Sequence, residues 1–280
     1  MTESKSNSCK VVFGMSGIEK ITNQNTEFVE YLLRDPVDNG FAVEDARDLP
    51  KDAQIFVSRN GKNNEISGYI LNHYEGREAF VYLKASASEE VSSLLNLLPQ
   101  DRSVTIYLSA DPKYLQIIRD YLSSKQWNFD ENREDLMAVK RNMANLASPN
   151  SATIIPKKYV RDVALLITDT ETEEAIKVNS LALDQKKIWG LIVEDHVVSI
   201  AGIASRQPEI GMIVNVVTHP NFRRRGFGTM VTSAATKSVL QDSAVVSLYV
   251  DATNLEAKRL YEKLGYRVFE ESVRFKVKPK

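Results

Sequence analysis

One cysteine, Cys9, is present in 280 residues, so no intrachain disulfide framework and no thiolate metal cluster can be assembled. No apolar run approaches the roughly 20 residues that a membrane helix needs. The polar leader MTESKSNSCK, which carries Cys9, lacks the apolar centre of a secretory signal. A soluble cytoplasmic protein without membrane association is therefore expected. Neither sign of charge is in excess: 36 Lys and Arg against 37 Asp and Glu leave a formal net charge of -1. The general basic field that attracts nucleic acid is absent, and only a local patch can act on anions. Both common nucleotide fingerprints, G-x-G-x-x-G and G-x-x-x-x-G-K-[ST], are missing, which argues against Rossmann and Walker-type sites. No metal site is expected.

What is present is an ordinary globular composition, 43% hydrophobic and 26% charged, in a chain longer than one compact domain usually runs. The clearest break is NMANLASPNSATIIPKK (142–158), where Asn, Ser and Pro cluster between two apolar-rich halves. The spacing predicts domains at 1–141 and 157–280, joined by a linker at 142–156. In the first half, helical periodicity marks 26–35, 88–98 and 112–124, and strand patterns mark 53–60, 65–74, 78–85, 103–109 and 135–141. The second half reads as helices at 157–168 and 170–183, then strands at 187–194, 196–204 and 211–218. A helix from Thr229 to about Leu240, a strand at 244–251, a helix from about Leu255 to Leu264, and paired strands at 266–271 and 273–278 complete it. Both halves thus run hairpin, strand, helix, strand, helix, strand. TIYLSA (105–110) and SLYVDA (247–252) align at an offset of 142, which also pairs Ile118 with Leu260 and Leu122 with Leu264. The shared order points to a tandem duplication.

The segment THPNFRRRGFGT (218–229) joins a Val/Ile-rich strand to a helix N-terminus, where unpaired N–H groups and the positive end of the helix dipole attract anions. Gly226 and Gly228 permit positive φ and close approach of backbone to a phosphate. Arg223, Arg224 and Arg225 can add charge-assisted donors, or face water as a solvated run, or form a nucleic-acid patch. An Arg-x-x-Gly-x-Gly match alone arises by chance in an appreciable fraction of chains. A second segment, LYVDATNLEAKRLYEKLGYRVF (248–269), places Asn254 to cap a helix, Glu256 in its first turn and Gly265 at its C-terminal cap. Ala257, Leu260, Tyr261 and Leu264 share one helical face. Tyr261 by itself reads as a core tyrosine with its hydroxyl at the edge.

Together these segments resemble the GNAT superfamily of acyl-CoA-dependent N-acyltransferases, over roughly residues 155 to 280. Arg223, Gly226 and Gly228 meet the pattern [Gln/Arg]-x-x-Gly-x-[Gly/Ala]. Asn254, Ala257, Leu260, Tyr261, Gly265 and Tyr266 meet the pattern Asn-x-x-Ala-x-x-Leu-Tyr-x-x-x-Gly-[Phe/Tyr]. IWGLIVEDHVVSIAG followed by VVTHPNFRRRG is similar, more narrowly, to the glycine N-acyltransferase-like branch. The resemblance implies an α/β (α+β) fold of tandem GNAT-like domains, each a mixed, mostly antiparallel sheet flanked by helices. The N-terminal one is degenerate: SASEEV places acids where an anion would sit, and Arg119 stands opposite Tyr261 in the alignment.

The same resemblance implies acetyl-CoA, or another acyl-CoA, as acyl-donor co-substrate. Its pyrophosphate would lie on the backbone of Arg224 to Thr229, Phe227 included, and its pantetheine arm along Val216, Val217 and Thr218. One or two of the three arginines would serve its phosphates, and Asn254 and Tyr261 complete the expected binding set. Tyr261 is the implied acid for the departing thiolate. The acceptor would be a primary amine on a small molecule or peptide, attacking directly, in a protein that is a monomer or a homodimer. Many family members carry a glutamate on the strand before the loop, but Gly211 and Met212 stand here. Glu209, His219 and water all remain open as the base. A non-catalytic acyl-CoA sensor or scaffold is the alternative.

Overall fold

The computed structural model describes residues 17–21, 25–48, 52–146, 152–168, 172–185 and 187–278. Cys9 lies outside these residues, as do 147–151 of the linker read at 142–156. In chain order the elements are β1 (Ile18–Ile21), α1 (Thr26–Leu32), α2 (Gly40–Asp48), β2 (Ala53–Arg59), β3 (Ile66–Glu75), β4 (Glu78–Lys84), α3 (Ser88–Leu95), β5 (Thr105–Ala110), α4 (Leu115–Ser124) and β6 (Asn128–Lys140). There follow β7 (Thr153–Ile154), α5 (Val160–Thr168), α6 (Glu173–Asp184), β8 (Ile188–Val193), β9 (His196–Arg206), β10 (Ile210–Thr218), α7 (Phe227–Val239), β11 (Val245–Asp251), α8 (Leu255–Lys263) and β12 (Arg267–Lys278). Two compact units are distinguished. The first runs through Asp35, resumes over Ala42–Glu134 and takes the last strand from Glu271; the second comprises Pro36–Phe41 and Asp135–Glu270.

In the first unit β1, β2, β3 and β4 pair antiparallel in sequence, β5 joins β4 in parallel, and β12 runs antiparallel to β5. Alternation along β3 sorts its side chains between two cores. Ile70 joins Val91, Leu94 and Leu95 of α3 and Ile118 and Leu122 of α4. Tyr69 and Leu71 join Phe28 and Leu32 of α1 and Val43 and Ala46 of α2.

In the second unit β7, β8, β9 and β10 pair antiparallel, and β11 joins β10 in parallel. Val246, Leu248 and Val250 of β11 pack with α7, Tyr261 and Leu264, while Val245 and Tyr249 look to the other face. Helix α7 is buried nearly all round with small residues, among them Thr232, Ser233, Ala234, Ala235 and Thr236, so it sits close on the sheet. Contact is tightest at Gly211, where an added β-carbon would fall 2.1 Å from Val239 Cγ1.

Three features depart from the sequence expectation. β12 is one strand, not the two paired strands predicted at 266–271 and 273–278. Glu271-Ser272 supplies no Gly, Asn or Pro for a tight turn, and Val273, Phe275 and Val277 continue opposite Ala110, Leu108 and Ile106 of β5. β6 begins at Asn128, earlier than predicted, through the polar run NFDENRED. Its consecutive acids Glu134 and Asp135 are both buried yet paired, with Arg274 at 3.0 Å and with Lys258 respectively. Lastly, β1, α2 and β7 are too short or too weakly periodic to show in the sequence.

Gly211→Ala is expected to destabilise the protein by about 1–3 kcal/mol, because the methyl group must displace Val239 in a packed core. A urea titration should show a lower midpoint at unchanged slope; an unchanged midpoint would show that α7 yields freely there.

Candidate functional site

The site begins where two strands stop pairing. β10 and β11 are in register at Ile210–Val245, Gly211–Val246 and Met212–Ser247 only, although β10 continues to Thr218 and β11 to Asp251. Asn215, at φ 50, lies in a register break of β10 against β9 between Val214 and Val217. A bulge of this kind bends and twists its strand locally. On its other edge β10 stays anchored, since Val217 pairs with Ile200 and Thr218 with Ser199. The buried Ser199 adds its hydroxyl, 2.8 Å from Thr218 Oγ1 and 3.2 Å from the Val217 carbonyl that it donates to. Val216, Val217 and Thr218 therefore form a held strand edge whose β11 side is open.

Beyond Thr218 the chain makes a short turn over Pro220–Phe222, with His219 Nδ1 accepting from Asn221 N at 3.3 Å. Arg224 and Gly226 then adopt left-handed conformations, φ 62 and φ 80. Such a curl can turn successive N–H groups into one concavity. Gly226 is the left-handed cap immediately before α7, and no atom lies within 4 Å of where its β-carbon would be. Helix α7 starts at Phe227, two residues before the predicted Thr229, so the amides of Phe227, Gly228 and Thr229 belong to its unpaired first turn.

Arg223, Arg224 and Arg225 are all exposed. Arg223 Nε donates to the Thr218 carbonyl at 3.2 Å, and Arg225 lies 5.1 Å over the Phe222 ring, which stacks on Phe227. None of the three guanidiniums meets a carboxylate among the described residues, so their charge is left for something else.

The two sequence motifs meet in space. A β-carbon at Gly228 would stand 3.0 Å from Leu260 Cδ1 and 3.5 Å from Thr218 Oγ1, which ties α8, the start of α7 and the end of β10 together. Asn254 caps α8 as its spacing predicts, its Oδ1 accepting from Ala257 N at 3.1 Å, and Gly265 ends the helix at φ 97. Tyr261 is 5% exposed and tilts against Tyr266 at 5.9 Å between centroids. Burial pushes the Tyr261 phenol up to about 12. Tyr266 is fully buried, with its hydroxyl 2.7 Å from Thr236 Oγ1. Of the residues considered as a base, Glu209 is half-buried just before β10, and His219 is half-buried at the opposite end of that strand. Gly211 faces α7, and Met212 is 1% exposed in an apolar cluster with Val37, Leu136 and Ile210. No group of His, Cys, Asp and Glu among the described residues is arranged to hold a metal.

The first unit lacks this opening. β4 and β5 pair over six consecutive positions, Glu78–Thr105 through Leu83–Ala110. At the start of α3 the Glu90 carboxylate accepts from Ser86 N (2.8 Å), Ser86 Oγ (2.9 Å), Ala87 N (3.2 Å), Ser58 Oγ (3.2 Å) and Ser67 Oγ. Burial raises its pKa, but these hydrogen bonds outweigh burial and hold it below the usual carboxylate value. A side chain of the protein thus meets the N–H groups that lead into this helix. Sequence reasoning missed the role of Pro36–Phe41, which packs in the second unit; its Pro, Asn and Gly signal a turn but not a destination.

No curated protein matches the chain. Residues 189–275 match the profile of the FR47-like protein family. Among solved structures, a Drosophila protein from structural genomics is similar with a TM-score of 0.72 at 11% identity, covering 95% of this chain and 99% of its own. A tandem GNAT protein from the clavulanic acid biosynthesis pathway is similar with a TM-score of 0.56 at 13% identity, covering 93% and 98%. A GCN5-related N-acetyltransferase from Sphaerobacter thermophilus is similar with a TM-score of 0.54 at 15% identity, covering 89% and 85%. The chain therefore carries the GNAT-like fold in tandem, with an FR47-like segment in its second half.

Proposed function

We propose that the chain is an N-acyltransferase that moves an acyl group, acetyl in the first instance, from acyl-CoA to a primary amine on a small molecule or peptide. The observation that carries this reading is the parting of β10 from β11 directly before a left-handed glycine turn and a helix N-terminus. The open edge of Val216, Val217 and Thr218 suits an extended arm bearing amides, which adds to it as a strand. The amides from Arg224 through Phe227, Gly228 and Thr229 suit a pyrophosphate, and the unpaired charges of Arg223, Arg224 and Arg225 suit its oxygens. Asn254 acts through α8, whose first turn it caps.

The chemistry needs no nucleophile from the protein. The amine nitrogen attacks the thioester carbonyl, the C–N bond forms, the C–S bond breaks, and the electron pair leaves on sulfur. Tyr261 is the residue we assign to that sulfur. Burial pushes the phenol up to about 12 and raises a thiol held beside it as well, so the two stay matched for proton transfer. Tyr261 therefore donates a hydrogen bond to the developing charge and serves as the acid for the thiolate. The ammonium proton goes to water. Gly211 and Met212 bring no carboxylate, and His219 stands just beyond the end of β10, at the phosphate end. In the first unit β4 and β5 pair continuously and Glu90 meets the amides before α3, so the donor is assigned to the second unit. A second reading, binding without turnover, is favoured by the apolar packing around Met212.

Acetyl-CoA at millimolar concentration should raise the melting temperature by several degrees, and Gly228→Glu should abolish the shift. If no shift occurs with the wild type, the acyl-CoA reading is wrong. A shift without CoA release across a broad amine panel would establish the binding-only reading instead.

Tyr261→Phe should lower kcat by about 10- to 100-fold while leaving the acetyl-CoA KM within a few-fold; an equal loss in binding would make Tyr261 a packing residue.

A pH measurement tests its environment independently. A phenol raised from about 10 to about 12 contributes stability that is whole below pH 10 and is lost as pH rises toward 12. Between about pH 9 and 11.5, Tyr261→Phe should lose less stability than the wild type, by on the order of 1–2 kcal/mol. Identical slopes would contradict its burial.

A further inference from the structure

The second unit includes six residues from far upstream, Pro36–Phe41. Val37 is buried against Leu136, Ile210 and Met212, and Gly40 lies so close that an added β-carbon would stand 2.6 Å from Met212 Sδ. Phe41 stacks on Tyr249 with centroids 6.2 Å apart and planes 12° from parallel. Tyr249 is two residues beyond Ser247, the last residue of β11 that pairs with β10, so it stands where the strands have already parted. It also belongs to the face opposite α7 and α8, since Val246, Leu248 and Val250 fill the other side. Both rings keep part of their surface exposed.

These facts constrain the acceptor. A thioester carried along Val216–Thr218 toward the closed end of the gap has one flank taken by α7, α8 and Tyr261. An attacking amine must come from the other flank, where the Phe41–Tyr249 pair offers flat apolar surface and Met212 offers no charge. We propose that Phe41 is a specificity-determining residue of the acceptor site, stacked on Tyr249 to receive a primary amine carried on an apolar body. The inference rests on the N-acyltransferase reading and names the acceptor class that reading leaves open. A segment outside the GNAT-like motifs thereby shapes what the second unit acts on.

The test uses the full chain with acetyl-CoA and three acceptors: phenethylamine, spermidine and glycine. Phenethylamine should be used with the highest kcat/KM. Phe41→Ala should raise its KM by about 5- to 10-fold, with kcat and the acetyl-CoA KM held within about twofold. Phe41→Tyr, which keeps the ring, should restore the wild-type KM. Should Phe41→Ala fail to fold, Phe41→Leu preserves apolar bulk without a stacking face and must show the same direction of change. An unchanged KM in the folded variant, or a preference for spermidine or glycine, overturns the inference while acetyl-CoA still raises the melting temperature. Absence of that thermal shift in the wild type, or of CoA release with every one of the acceptors, overturns the N-acyltransferase reading itself, and so distinguishes the two failures.

Discussion

Strands β10 and β11 share three residue pairs and then part, and the second unit is organised around holding that gap open. Backbone groups left without partners are costly unless water or a ligand meets them. The gap therefore needs one rigid wall. β10 supplies it through its antiparallel pairing with β9, interrupted only at its register breaks, and through the hydroxyl pair of Ser199 and Thr218. Small residues along α7 let the helix lie close on the sheet, and Gly211 yields its β-carbon position to Val239. The glycine turn then sits at the mouth of the gap because α7 begins there. A left-handed glycine turn with the free first-turn amides of α7, and an open strand edge, become neighbours through a single strand-to-helix connection.

The first unit repeats the element order and reverses the outcome. Its parallel pair closes over six positions, and its helix N-terminus is answered by Glu90. The two units share a fold while differing in what their strand edges and helix termini leave unsatisfied, which is where chemistry begins. The difference between the units lies in which backbone groups the chain pairs with itself.

Burial works differently on the two tyrosines of the second unit. Tyr266 is enclosed and spends its hydroxyl on Thr236, so it serves packing. Tyr261 is nearly as deep and its phenol is pushed up by burial, with no compensating hydrogen bond among the described residues. A hydroxyl with unspent hydrogen-bonding capacity and a retained proton is suited to a developing anion.

Much of this was legible in the sequence where the governing interactions are local. The left-handed Gly226, the capping Asn254 and the terminal Gly265 each answer to constraints within a few residues, so spacing alone reveals them. Alternating Val, Ile and Leu placed β10 and β11, and the repeated order revealed the tandem architecture. The register of β10 against β11 was not legible, because pairing and parting use the same residue types. Nor was the first part of β6, whose acidic run 128–134 precedes the predicted strand; Glu134 at its end and the adjoining Asp135 are answered by Arg274 and Lys258 from over 120 residues downstream. The meeting of Phe41 with Tyr249, separated by more than 200 residues, is likewise a tertiary decision. Local conformation and helix capping follow from the chain itself, whereas the opening between strands and the surface facing it depend on which distant segments fill the remaining space.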